Sequence, residues 1–428
     1  MQANIFAGDD IHVLANSVVR GDAISGDDTT LGSGVTIGRI DAGTRSSESN
    51  NGITVGANSV VGAMYSSTGV SLGSGVRVVG NTSARKKFAA GSNLSYTGDI
   101  TSADDVTLGL GAVFTGSIHS GDDVKIGADS AVSGNIYGAD KITLGKRSTS
   151  GQLHGRDVTI DGGSTVGSLF ASHNAKLEGS AVVNGSVNAS NDAELKKDSR
   201  VNGDVTYGHK IKKDSSAVVT GTIAEGTPVG PTDPNTTLTA PRDWQASRLD
   251  VPTFVSGDSD VSIAKNSDST LTAGNYRKLS VGRGATLTLT AGTYNFANIS
   301  LDSSVRITAD TSSGDVIINS AEDFKMGKEG VIARFGSGNV IISSADDLSI
   351  GKNANVVAQF RAYDDLSVDS YGTISGTLYA HEDISLGGGV MVMNARAEVT
   401  PEPGTLVLLT VGGMVIASRR RRRKSLAV

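Results

Sequence analysis

The chain of 428 residues has no cysteine, one tryptophan, seven prolines and only 4% aromatic residues. Without cysteine there is no disulfide, no thiolate metal site and no lipid attachment at a cysteine, although the compartment stays open. So few aromatics exclude a large aromatic globular core. Heptads and 3.6-residue apolar stripes are missing as well, which excludes helical repeats. The prolines fall only between Pro228 and Pro252 and at Pro401 and Pro403. Residues 1–227 and 253–400 therefore hold none of the residue that most disrupts a β-ladder. The opening MQANIFAGDDIHVLANSVVRGD has neither the basic nor the apolar region of a signal peptide.

What is present is 55 glycines and 38% hydrophobic residues, much of it Val, Ile and Leu. That apolar content is too high for a disordered chain. The small polar residues around it suit short strands and tight turns. Net charge is −6 but uneven: Arg419, Arg420, Arg421, Arg422, Arg423 and Lys424 lie in a stretch, 404–428, with no acid, and removing it takes the chain to −12. An acidic body argues against nucleic-acid binding.

A repeat organises the body. Val106/Leu108, Val124/Ile126 and Ile142/Leu144 recur at steps of 18, followed by Val158/Ile160, Ala175/Leu177 and Ala193/Leu195 at 16, 17 and 18. Leu348, Leu366 and Ile384 repeat the step of 18, as do Tyr276 and Tyr294. A unit this short fits one turn of a β-solenoid, in which no coil buries its apolar residues alone and stacking at about 4.8 Å makes one narrow core. The spacing predicts roughly twelve coils in 1–224 and roughly eight in 253–398, the first block being on the order of 55–60 Å long. Steps of 6 and then 4 after Ile126 do not suit a hexapeptide left-handed helix, so the expected fold is all-β: a right-handed parallel β-helix in two solenoid blocks.

The run VTLGLGAVFTGSIHSGDDVKIGADSAVSGNIYGADKITLG resembles bactofilin-type repeats, over roughly residues 95–225. That resemblance implies a parallel β-helix and a tendency to stack end to end. Residues 225–252, EGTPVGPTDPNTTLTAPRDWQASRLDVP, read as a proline-rich linker or cap between the blocks. Trp244 is expected to cover an open solenoid end rather than to stack on sugar.

The tail, 400–424, has three parts in order: Pro401-Glu402-Pro403, an apolar run 404–418, and the basic cluster 419–424. The apolar run is about 22 Å long as a helix, short for a bilayer core of about 30 Å, and the arginines after it would stay cytoplasmic. This order resembles the PEP-CTERM sorting signal. The resemblance implies a bacterial protein that is exported, anchored transiently in the inner membrane by a helix at 404–418, cut near 401–403 by an exosortase-type enzyme, and delivered to the surface or exopolysaccharide matrix. Export needs a signal peptide, so the natural start is expected upstream of Met1.

Acidic pairs recur at one corner of the repeat, including Asp122-Asp123 and Asp346-Asp347. A calcium ladder is one reading, but the nonapeptide repeat of calcium-binding β-rolls and an EF-hand loop are both missing. The preferred reading is local: Asp accepts backbone N–H groups and holds a turn. These four aspartates remain weak candidates for Ca²⁺, and no cofactor is expected. Ser71 lies in GVSLG, a string match to a nucleophile elbow, but in the frame of VTLG and VKIG it is an ordinary repeat position. The six histidines lack metal-ligand spacing. Thr286-x-Thr288-x-Thr290 occurs once, too little for an ice-binding array. The function expected is therefore a non-enzymatic secreted structural or adhesive protein meeting extracellular polysaccharide. The alternative is a bactofilin-like polymerising scaffold; a β-helix carbohydrate enzyme or an ice-binding protein fits less well.

Overall fold

The computed structural model describes residues 3–43, 52–227, 238–242 and 257–393. Its 57 short strands form three parallel sheets of nineteen strands each. Each coil contributes one strand to face A (such as Ile118–Ser120), one to face B (Val124–Ile126) and one to face C (Ala131–Val132). The fold is thus an all-β parallel solenoid. Among the described residues no helix is long and apolar enough to cross a membrane. The helix expected at 404–418, the rest of 400–424 and Trp244 lie outside those residues.

The repeat is read directly into the register. Val106, Val124 and Ile142 stand one above the other on face B, followed by Val158, Ala175, Ala193 and Ile211. The first and third residues of each triplet point inward: Val124 and Ile126 are 1% exposed, Ile142 and Leu144 are fully buried. Tyr96, 1% exposed, stacks on Phe114 at 4.6 Å, and its hydroxyl donates to Thr82 Oγ1 at 2.6 Å. A buried phenol needs such an acceptor.

Two backbone features explain the punctuation between triplets. The glycine ending VxIG sits where adjacent coils nearly touch: a Cβ on Gly127 would lie 2.5 Å from the carbonyl carbon of Gly109. The corner before face C takes the left-handed conformation in coil after coil, at Asn58, Asn93, Asp129 and Asn353 with φ of 57 to 60°. Asn and Asp tolerate that region best among residues with a side chain.

Twelve face-B strands lie between Ile11 and Lys213, and seven between Asp260 and Leu386. The second count is below the eight expected because some coils are longer: Ile299 pairs with Phe324 and Phe324 with Leu348, steps of 25 and 24.

The division of the chain at the proline-rich segment is not a division of the rod. Leu378, Tyr379 and Ala380 pair with Ile5, Phe6 and Ala7 on face A; Ile384, Ser385 and Leu386 pair with Ile11, His12 and Val13 on face B; Met391 and Val392 pair with Val18 and Val19 on face C. The last coil of the C-terminal block is therefore the rung directly beneath the first coil of the N-terminal block. Backbone bonds cross this junction from Gly8 to Ala380 at 3.0 Å, Leu14 to Leu386 at 2.9 Å and Val18 to Val390 at 2.8 Å. One compact unit of nineteen rungs results. Its two ends are made of internal sequence, the coil at 205–225 and the coil at 257–275.

Candidate functional site

Three features of the rod's exterior carry chemistry. The first is the acidic corner. The second aspartate of each pair accepts the backbone N–H of the equivalent residue one coil on: Asp105 Oδ1 from Asp123 at 3.4 Å, Asp123 Oδ1 from Lys141 at 2.9 Å, Asp347 Oδ1 from Asp365 at 3.4 Å, Asp365 Oδ1 from Asp383 at 3.1 Å. The ladder continues across the junction into Asp10 and then Asp28, both at 2.9 Å. These carboxylates replace strand hydrogen bonds at a corner where the backbone turns away.

At the first aspartate of these pairs the charges crowd. Oxygens of Asp122, Asp123 and Asp140 lie within 4.8 Å of one another, as do those of Asp346, Asp347 and Asp364. Partial desolvation, and after it the neighbouring carboxylates, raise the pKa of Asp122 and of Asp346 above the usual aspartate range. Glu382 is raised by its hydrogen bond to Asp364 and then by that residue's charge. Of the four candidates, Asp123 and Asp347 hold the backbone, while Asp122 and Asp346 are exposed. Further along the corner basic groups answer the acids: Arg156 meets Asp140 at 3.1 Å and His173 meets Asp157 at 2.9 Å.

The second feature is a ring stack on face A in which two of the histidines take part. His119, Tyr137, His154 and Phe170 occupy the outward position of four successive rungs, with centroids 4.6, 4.7 and 4.8 Å apart and planes within 20°. Each interior ring has both faces against its neighbours, so only ring edges remain for solvent. A sugar stacks on a ring face, and the interior faces are taken. Their sequence spacing of 18, 17 and 16 matches the coil length and would have revealed the stack. His209 pairs with Asp192 at 2.8 Å and His381 stacks on Tyr363.

The third feature is a charge cluster on the same face. Asp41 is fully buried. Its carboxylate accepts two hydrogen bonds from Arg39, at 2.8 and 2.7 Å, one from Arg242 Nε at 2.8 Å and one from the Arg242 backbone N–H at 3.0 Å. Arg242 also reaches Asp22 at 2.8 Å, and the Arg39 guanidinium lies 3.9 Å over the Tyr65 ring. Two arginines against two aspartates satisfy a carboxylate that would otherwise be costly to bury. Thr239, three residues before Arg242, helps to line a shallow polar pocket of about 230 Å³ with Tyr65, Asn81, Ser83, Asp99 and His119. The described residues 238–242 of the proline-rich segment thus lie against face A.

The remaining candidates take ordinary places. Ser71 stands outward on face B between Thr54 and Ala89. Thr288 is flanked in register by Thr270 and Thr308, but the adjacent column runs Asp268, Thr286, Arg306, so the threonine surface is one residue wide.

Comparison with known proteins identifies one segment. Residues 399–423 match the PEP-CTERM protein-sorting motif. That match spans Pro401, Glu402 and Pro403, the apolar run and most of the basic cluster; the bactofilin resemblance of the repeats over roughly 95–225 is not confirmed by it. No curated protein matches the chain. Among solved structures, an ice-binding protein from an Antarctic bacterium Flavobacteriaceae aligns at 10% identity over 93% of this chain and 98% of its own, with a TM-score of 0.13. At that score the likeness carries no functional argument. The sorting motif implies processing by exosortase, a membrane enzyme, and export toward the cell surface. The chain is a parallel β-solenoid that ends in a PEP-CTERM protein-sorting motif.

Proposed function

We propose that this chain is a non-enzymatic structural or adhesive rod of the bacterial surface or exopolysaccharide matrix. The observation that supports the reading is the pairing of a nineteen-rung solenoid with the sorting motif at 399–423. Parallel strands hydrogen-bonded rung to rung resist bending, and the exterior is made of hydroxyls, carboxylates and ring edges. In this reading the 404–418 segment holds the chain transiently in the inner membrane, cleavage near Pro401–Pro403 releases it, and the rod then lies among extracellular polysaccharide. A bactofilin-like polymerising scaffold would share the rod but would leave the sorting motif without a role.

The test compares the natural chain with a variant carrying Pro401→Ala and Pro403→Ala, by cell fractionation and intact mass, in cells that have the processing enzyme. The natural chain should lose its tail and reach the surface or medium, while the variant should stay longer in the membrane fraction. Identical processing and location of the two chains would sink the sorting step. A rod that is sorted but washes off isolated exopolysaccharide as readily as a control protein would sink the adhesive role.

A further inference from the structure

We propose that the junction between residues 378–393 and 3–19 also forms between two copies of this chain, which exchange their C-terminal blocks. Three observations support it. The junction is a complete set of parallel pairings on all three faces, made by residues far apart in sequence. Such an edge fits the same partner edge whether it comes from the same chain or another. Arg242, in the connection, bonds Asp22 and Asp41, both in the N-terminal block, so it holds the connection and not the C-terminal block.

The third observation is a length. Residues 227 and 257 lie at opposite ends of the rod, because the connection leaves the coil at 205–225 and re-enters at 257–275. Eighteen rung spacings of about 4.8 Å put these ends about 86 Å apart. Thirty residues reach at most about 100–108 Å when fully extended. A flexible chain of that length has a root-mean-square span of only about 30 Å. Closure within one chain therefore needs a span of about 86 Å from a segment whose greatest reach is about 100–108 Å. If two rods lie side by side in opposite directions, the same connection need only cross from one rod to the other. Exchange shortens the span to be crossed and keeps every hydrogen bond of the junction.

The chain has no cysteine, so two introduced thiols report on this contact alone. His12 and Ser385 pair across the junction on the outward side of face B. Full chains carrying only His12→Cys and full chains carrying only Ser385→Cys are co-expressed and treated with a short bis-maleimide. A control pair replaces His12→Cys by Thr159→Cys, remote from the junction. Exchange predicts a product of twice the monomer mass from the first pair and not from the control. Deleting residues 228–237 shortens the reach to at most about 72 Å, less than the rod, and should raise that product about tenfold. Arg242→Ala should raise it too, without shortening anything. No doubled product above control with the natural connection overturns the proposal. So does a shortened chain that is folded by circular dichroism and remains monomeric.

Discussion

The Asp383 carboxylate accepts the backbone N–H of Asp10 at 2.9 Å, across 373 residues of sequence. It is the same bond that Asp365 makes to Asp383 one coil earlier and Asp10 makes to Asp28 one coil later. The corner ladder passes from the C-terminal block into the N-terminal block without a break.

It follows that the two blocks stay together without the connecting segment. With a protease site placed between Trp244 and Val251, cleavage should leave fragments that co-elute on size exclusion. Ile384 is fully buried at the junction. Ile384→Asp places an unpaired charge there, at a cost of several kcal/mol, and the cleaved fragments should then separate.

The two aspartates of one corner should respond in opposite ways. Asp122 has a raised pKa, so its share of the stability is present below the ordinary carboxylate range and is lost as pH rises through the raised value. Asp122→Asn should leave the melting temperature at pH 7 unchanged or higher, and the difference should vanish near about pH 3. Asp123→Ala removes the acceptor for Lys141 N–H and should cost about 1 kcal/mol at pH 7. Thermal melts across pH distinguish the two.

Salt should act through the same crowding. The triads at Asp122, Asp123, Asp140 and at Asp346, Asp347, Asp364 repel at close range, so added NaCl should raise the melting temperature. In each triad one aspartate is committed to a backbone N–H, and three carboxylates fall short of the six to eight oxygens calcium prefers. Calcium at equal ionic strength should add little beyond sodium. A calcium titration with a saturating shift of many degrees would reverse that assignment.

Two alanine substitutions separate packing from recognition. Gly127→Ala forces a methyl to within 2.5 Å of the Gly109 carbonyl carbon and should destabilise by about 1–3 kcal/mol. Tyr137→Ala removes the second ring of the stack. Two ring contacts of about 0.5–1.5 kcal/mol each are lost, while capture by polysaccharide should be unchanged because the ring faces were already occupied.

The coil was legible because each inward Val, Ile or Leu recurs where the next rung needs it, and the corner aspartates because Lys141, Arg156 and His173 vary the charge without breaking the turn. The pairing of Ile384 with Ile11 was not legible. Most face-B strands share the same apolar alternation, so nothing local distinguishes a rung's neighbour in sequence from one across the chain. Arg242 was equally silent: it lies among prolines, and its partners Asp22 and Asp41 are two hundred residues away. The weak cation candidates were legible as a cluster, but the division of labour between Asp122 and Asp123 needed the backbone.

The junction also sets an order of folding. Within a block every rung is laid down on a neighbour 16 to 25 residues away, so growth resembles a zipper with short loops to close. The rung pairing Ile384 with Ile11 closes a loop that contains nearly the whole chain. Loop closure grows only slowly in free-energy cost with length, but contacts this distant form late. Each half should therefore acquire its coils first, and the continuous rod should appear in a final, slower step, sensitive to how far the connection reaches.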